Sequence, residues 1–228
     1  MTTFGRSFED AVSALELECA RCHAAVDGLP TEGFDRPTRC PGWSVRILLG
    51  HLWRDVDRVC AALSQPEPAT VTADAVSYWR TYDPAAAAAG VSERAVEASS
   101  SFVSERELAS AFAERARECV AAARAAGGGR LVSVRTASLS LEEYVATRVV
   151  EAVIHGLDLA RALDRDPWTT PLGADIASAV LGGLLPKGSR RPAIDDVAFL
   201  EAATGRLPLS DELRAAFGRA ADALPLIS

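Results

Sequence analysis

No run in this sequence approaches the roughly 20 consecutive apolar residues that a membrane-spanning helix needs. Nor do residues 1–10 carry the apolar stretch of a secretion signal, so a soluble, cytoplasmic protein with no membrane partner is expected. Concentrated positive charge is also missing. Lys and Arg total 24 against 31 acidic residues, a formal net charge of -7, and the arginines are interleaved with acids. Nucleic-acid phosphates require a basic patch, so no nucleic-acid partner is expected. Cysteine is sparse and odd in number, at five. With no export signal, that favours free thiols in a reducing compartment over a disulfide framework. Methionine occurs once, at Met1.

What is abundant is apolar surface at helical spacing. About half of the 228 residues are apolar, enough for one sizeable core or for a domain with an appendage. Phe8, Val12, Leu15, Cys19, Cys22 and Val26 recur at steps of 4, 3, 4, 3 and 4, the stripe of an amphipathic helix that Leu29-Pro30 closes. Ser44 is a good N-cap for a second helix running to about Leu63, with Leu48, Leu52, Val56 and Val59 inward. No element is assigned to residues 67–90, which contain Pro84 and an alanine run, although Tyr78, Trp79 and Tyr82 are candidates to pack. A third helix is expected from about Ser92 or Ser104 to Ala126, stopped by Gly127-Gly128-Gly129, and Leu131 to Leu139 reads as weakly extended. Ser140 with Glu143 forms a capping-box pattern for a fourth long helix ending near Leu163. Four such helices predict an all-α four-helix bundle over residues 1–165. After it, shorter helices at about Gly173–Leu185, Ile194–Ala203 and Ser210–Leu224 form an extension, residues 166–228, expected to pack on the bundle.

The fourth helix carries the chemical signal. Tyr144, Arg148, Glu151, His155 and Asp158 recur at steps of 4, 3, 4 and 3, beside an apolar stripe through Val145, Val149, Ala152 and Leu159. Glu151 and His155, one turn apart, can hold one ion between them. His51, preceded by Gly50 on the second helix, is a third potential ligand. Two imidazoles and one carboxylate suit zinc or another divalent transition metal, and three protein ligands leave a fourth position open, as in catalytic rather than structural zinc sites. Asp55 and Asp158, at helical spacing from His51 and His155, are candidates to orient the imidazoles. The bland alternatives are a solvated ion-pair face at Arg148 and Glu151 and a hydrogen-bonded core histidine at His51. Cys19-Ala20-Arg21-Cys22-His23 matches a haem-attachment pattern, but both cysteines lie on the apolar stripe and are read as packing residues. Cys40, Cys60 and Cys119 are read the same way, since nothing in the sequence places a base beside them.

Pro37-Thr38-Arg39-Cys40-Pro41-Gly42-Trp43-Ser44-Val45-Arg46, followed by His51-Leu52, resembles the N-terminal signature of the mycothiol-dependent maleylpyruvate isomerase family, within the DinB-like metalloprotein superfamily. Arg148, Glu151, His155, Gly156, Asp158 and Leu159 match a second signature, and Ala202-Ala203-Thr204-Gly205-Arg206 resembles a short C-terminal element. The resemblance spans residues 7–165 well and the tail loosely. It implies a DinB-like bundle holding a divalent metal, commonly zinc, on His51, Glu151 and His155. It also implies mycothiol as a low-molecular-weight thiol cosubstrate and a small electrophile as partner, in isomerisation or S-transfer. The chain departs from the family at Ile47, where relatives carry an acid. It departs again in having little counterpart to the isomerase's sterol-carrier-like second domain. Arg148 or Arg206 is expected to clamp a carbonyl or carboxylate of the electrophile, Arg148 alternatively buttressing Glu151 or Asp158, and Arg206 alternatively being a solvated tail residue. A metal-assisted hydrolase and a non-catalytic metal-binding module remain alternatives, and a monomer or homodimer is expected.

Overall fold

The structure is a computed structural model describing residues 2–135 and 137–227. In chain order the elements are α1 (Phe8–Val26), α2 (Thr31–Phe34), α3 (Val45–Leu63), α4 (Ala75–Arg80), α5 (Pro84–Ser100), α6 (Glu105–Ala126), β1 (Leu131–Val134) and β2 (Ala137–Ser140). There follow α7 (Leu141–Ala162), α8 (Pro171–Leu184), α9 (Asp196–Ala203) and α10 (Asp211–Phe217). The fold is all-α and DinB-like: α1, α3, α6 and α7 form the bundle, with α1 against α7 and α6, and α3 against α6 and α7. No helix is long and apolar enough to cross a membrane among the described residues.

Local chemistry sets the helix limits. Ser7 caps α1 through the Asp10 amide while the Asp10 carboxylate returns to the Ser7 amide, a reciprocal pair that satisfies two free N–H groups. Ser44 accepts from the Ile47 amide at the start of α3, without the return bond an acidic residue at 47 would add. Gly127, at φ 78, ends α6 in a conformation that β-carbons disfavour.

Three readings are settled or corrected. Of the two starts offered for the third helix the structure takes Ser104, which caps α6 through the Glu107 amide; residues 92–100 belong to a separate helix, α5, and the stretch 67–90 left without an element holds α4 and the first turns of α5. An alanine run favours helix by propensity but offers no apolar stripe by which to recognise it. Leu131–Val134 and Ala137–Ser140 pair as an antiparallel hairpin, Leu131 opposite Ser140 and Val134 opposite Ala137. Finally, the Ser140 side chain makes no capping bond. Glu143 is 7% exposed and accepts instead from the amides of Thr3 at 2.7 Å and Ala75 at 2.9 Å, tying the N-terminus and α4 to the start of α7.

Helix α7 is the axis of the molecule. Nearly every residue from Leu141 to Ala162 is buried, including the polar stripe residues Tyr144, Arg148, His155 and Asp158. The stripe is therefore internal, and the solvated-face alternative does not apply. Beside His51, Gly50 lets α5 cross α3 closely, since a Cβ there would fall 2.7 Å from the Ser99 amide nitrogen. Helix α8 lies across α1 and α7, anchored where the Thr170 amide and hydroxyl donate to buried Glu18 at 2.7 and 2.8 Å. Cys19 and Cys22 are 2% and 0% exposed, and burial pushes both thiols well above their ordinary pKa, as packing residues require.

Candidate metal centre and its cavity

The pairing of α3 with α7 brings His51 to Glu151 and His155. His51 Nε2 lies 3.4 Å and His155 Nε2 3.2 Å from Glu151 Oε2. One ligand atom from each residue falls within 4.8 Å of the others. The imidazole rings meet edge to face with centroids 4.8 Å apart, and the Trp43 ring sits 5.0 Å from that of His51. The Trp43 indole N–H donates to Ser92 Oγ at 3.1 Å, fixing the ring against α5.

Asp158 fixes the orientation of His155. Its Oδ2 lies 3.0 Å from His155 Nδ1, which leaves Nε2 for the Glu151 side. Asp158 is fully buried and held in turn by Arg206, from Nε to Oδ1 and from Nη2 to Oδ2, both at 2.8 Å, and by Arg39 Nε at 3.1 Å. Burial alone would raise the Asp158 pKa; the His155 hydrogen bond and the Arg206 charge more than offset it and hold the carboxyl far below the usual range. Burial likewise opposes the charge on Glu151, and the bonds from His155 and His51 hold its carboxyl well below its ordinary value. Such a cluster, an ionised carboxylate facing two imidazoles, one of them oriented by a second carboxylate, has the donor chemistry of a divalent transition-metal site. A second grouping, Cys40 with His155 and Asp158, also lies within ligand range. There Asp158 is already engaged by two arginines, so the first grouping fits a cation better.

The two arginines expected to grip the electrophile are placed otherwise. Arg148 is 1% exposed, ion-paired through Nη1 with Asp55, and bonded through Nε to Thr147 Oγ1 at 3.1 Å. It does not line the cavity. It ties α7 to α3, its ion-pair partner being Asp55 rather than Glu151 or Asp158. Asp55 accordingly does not orient His51, as its spacing had suggested. Arg206 does face the cavity, but its Nε and Nη2 are taken by Asp158 and its Nη1 by the Thr204 carbonyl at 3.2 Å. It is neither a free clamp nor a solvated tail residue.

The cavity has a volume of about 740 Å³ and is lined by the three candidate ligands together with Cys40, Trp43, Trp79 and Tyr82. Sequence reasoning missed Cys40. Cys40 packs against the core as expected, but its sulfur lies 3.5 Å from Asp158 Oδ2 and 4.0 Å from His155 Nδ1, so it is also a cavity residue with an imidazole at hand. It missed Arg39 as well, which also donates to Glu201 at 2.6 Å and so ties the loop before α3 to α9. Both belong to the Pro37–Arg46 motif, yet no spacing rule links them to α7, more than 100 positions on.

These features define a class: an all-α bundle whose central helix turns a polar stripe inward, gathering two imidazoles and a carboxylate at the wall of one cavity. Residues 15–160 match the family described as mycothiol maleylpyruvate isomerase N-terminal domain. The chain belongs to that family, one of mycothiol-related enzyme domains. No curated protein and no solved structure matches it.

Proposed function

We propose that this protein is a cytoplasmic, metal-dependent enzyme that uses mycothiol on a small electrophilic substrate, as an isomerase or S-transferase. The observation that carries the reading is the convergence of His51, Glu151 and His155 on a cavity large enough for two small molecules. His51, Glu151 and His155 would hold the ion, with zinc the best fit to this donor set. A bound divalent ion lowers the pKa of a thiol, so that thiolate prevails near neutral pH.

The chain's own residues do the rest. Asp158 sets the tautomer and direction of His155, and Arg206 and Arg39 hold Asp158 in place. Trp43 packs its ring against that of His51 at the cavity wall. Thiolate adds to a carbon–carbon double bond conjugated to a carbonyl, and the π electrons move onto the carbonyl oxygen. In an isomerase the new single bond rotates, the electrons return and the thiolate departs, so nothing is oxidised or reduced. In a transferase the carbon is protonated and the thioether leaves as product. Residues 1–165 form the catalytic bundle in this reading, and residues 166–228 an extension that supplies Arg206.

The test is turnover. Purified protein is stripped of metal, reloaded with zinc, and assayed with maleylpyruvate, then with other electrophiles, in the presence of mycothiol. Zinc-dependent and thiol-dependent loss of the electrophile supports the proposal. Turnover that needs zinc but no thiol would replace it with a hydrolase, and zinc that raises stability without any turnover or thiol binding would replace it with a binding module.

A further inference from the structure

With Arg148 and Arg206 engaged internally, the cavity still presents three guanidinium groups that no carboxylate satisfies. Arg54 and Arg58 rise from α3, three and seven residues after His51, and Arg135 comes from the hairpin turn; all three line the cavity. Among the described residues none of them has a carboxylate within ion-pair distance. The acids on the same wall are spoken for, Asp55 by Arg148 and Glu151 by the two imidazoles. Like charges four apart on a helix destabilise it, so Arg54 and Arg58 are a standing cost to α3. Burial, and then the neighbouring charges of Arg58 and Arg94, lower the pKa of Arg54, a sign of how crowded these cations are.

Two independent observations point the same way. Arg135 adopts φ 53, a conformation rare for residues with a side chain, and its guanidinium lies 4.6 Å over the Tyr82 ring, so it is held at the cavity rather than left to solvent. Trp79, 95% buried, is a cavity-lining residue, and among the described residues its buried indole N–H has no hydrogen-bond partner, nor has the buried Arg39 Nη2. These groups only donate. The missing partner therefore accepts hydrogen bonds and carries negative charge.

We propose that Arg54, Arg58 and Arg135, with the Trp79 indole N–H, form an anion subsite, distinct from the His51–Glu151–His155 centre, that holds a carboxylate or phosphate group of the substrate. The substrate then spans the cavity, its anionic end among these arginines and its electrophilic carbon toward the centre. Which end reacts rests on the proposed function; anion binding does not.

The test is calorimetric titration of metal-free protein with maleate and, separately, with inorganic phosphate in low-salt buffer. Saturable binding of either probe is expected, and preference for one assigns the group as carboxylate or phosphate. Arg54→Gln, Arg58→Gln and Arg135→Gln should each weaken binding about tenfold or more, the loss of a charge-assisted hydrogen bond. Arg54→Lys should recover part of it. Glu151→Gln, with the arginines intact, should bind at least as well as the parent. Circular dichroism melts keep the reading clean, because Arg54→Gln relieves repulsion and should melt no lower than the parent; Arg135→Gln, on the hairpin, is an independent variant. Failure of both probes to bind, or equal affinity in parent and arginine variants, overturns the subsite. Arginine-dependent binding without zinc-dependent turnover leaves it standing and removes the proposed function instead.

Discussion

Replacing Arg148 by Met should unfold the protein more readily without acting through the substrate. Arg148 is 1% exposed and Asp55 4% exposed, so removing the guanidinium strands a buried carboxylate between α3 and α7. Stranding one partner of a buried ion pair costs about 3–5 kcal/mol. The Thr147 hydroxyl and the Tyr78 phenol also lose a donor. For a chain of this size each kcal/mol lowers the melting temperature by about 2–4 °C, so Arg148→Met should melt roughly 6–20 °C below the parent. Asp55→Leu alone should cost a similar amount. The double variant Asp55→Leu/Arg148→Met removes both charges from the interface and should recover most of the loss, since apolar replacement of a buried pair is often near neutral. Thermal and urea unfolding of the four proteins measure the coupling, and substrate KM is read on the same samples. Additive losses, or an Arg148→Met protein of parental stability with a greatly raised KM, would refute the buttressing role and restore Arg148 as a clamp.

Gly50→Ala should cost about 1–3 kcal/mol, because the new methyl meets the Ser99 backbone and α5 must shift; urea unfolding measures it. Asp158→Asn should loosen zinc about 10- to 100-fold by chelator competition, as expected when the group orienting a metal-bound imidazole is changed. Burial raises the Glu18 pKa in the folded protein, more than the Thr170 hydrogen bonds lower it. Its stabilising contribution is thus complete below the unfolded pKa and is lost as pH rises through the higher folded value. Glu18→Gln keeps an acceptor for Thr170 without the charge, so it should be more stable than the parent at pH 7, with the gap closing as pH falls toward 4. A melting-temperature series against pH checks this; a gap that widens in acid would contradict it. Gly173→Ala should lower stability at every pH, because its Cβ would run into the Glu18 carboxylate that Thr170 holds in place.

The parts of the fold that could be read from sequence are those written in local chemistry. Ser7 and Ser44 as caps, Gly127 as a stop and the 3–4 apolar rhythm of α1 and α3 need no tertiary knowledge. Helix α5 was illegible because its alanines carry propensity without a stripe. Ser140 and Glu143 misled because Glu143 finds donors at Thr3 and Ala75, 140 and 68 residues away, which no local pattern encodes. At the candidate site the spacing of Glu151 and His155 is local, whereas the approach of His51 depends on how α3 and α7 pair. The arginines show the limit most plainly: Arg148 on the polar stripe and Arg54 on α3 look alike in sequence. Only the position of Asp55 makes the first a structural tie and leaves the second free at the cavity.

A zinc K-edge absorption spectrum of zinc-loaded protein reads out what sits between His51, Glu151 and His155. One zinc per chain is expected, with two imidazoles and oxygen in its shell and lost in His51→Ala, and a sulfur scatterer at about 2.3 Å that appears only when thiol is added. Substoichiometric zinc, a spectrum indifferent to His51, or sulfur already present without added thiol would contradict the proposed centre.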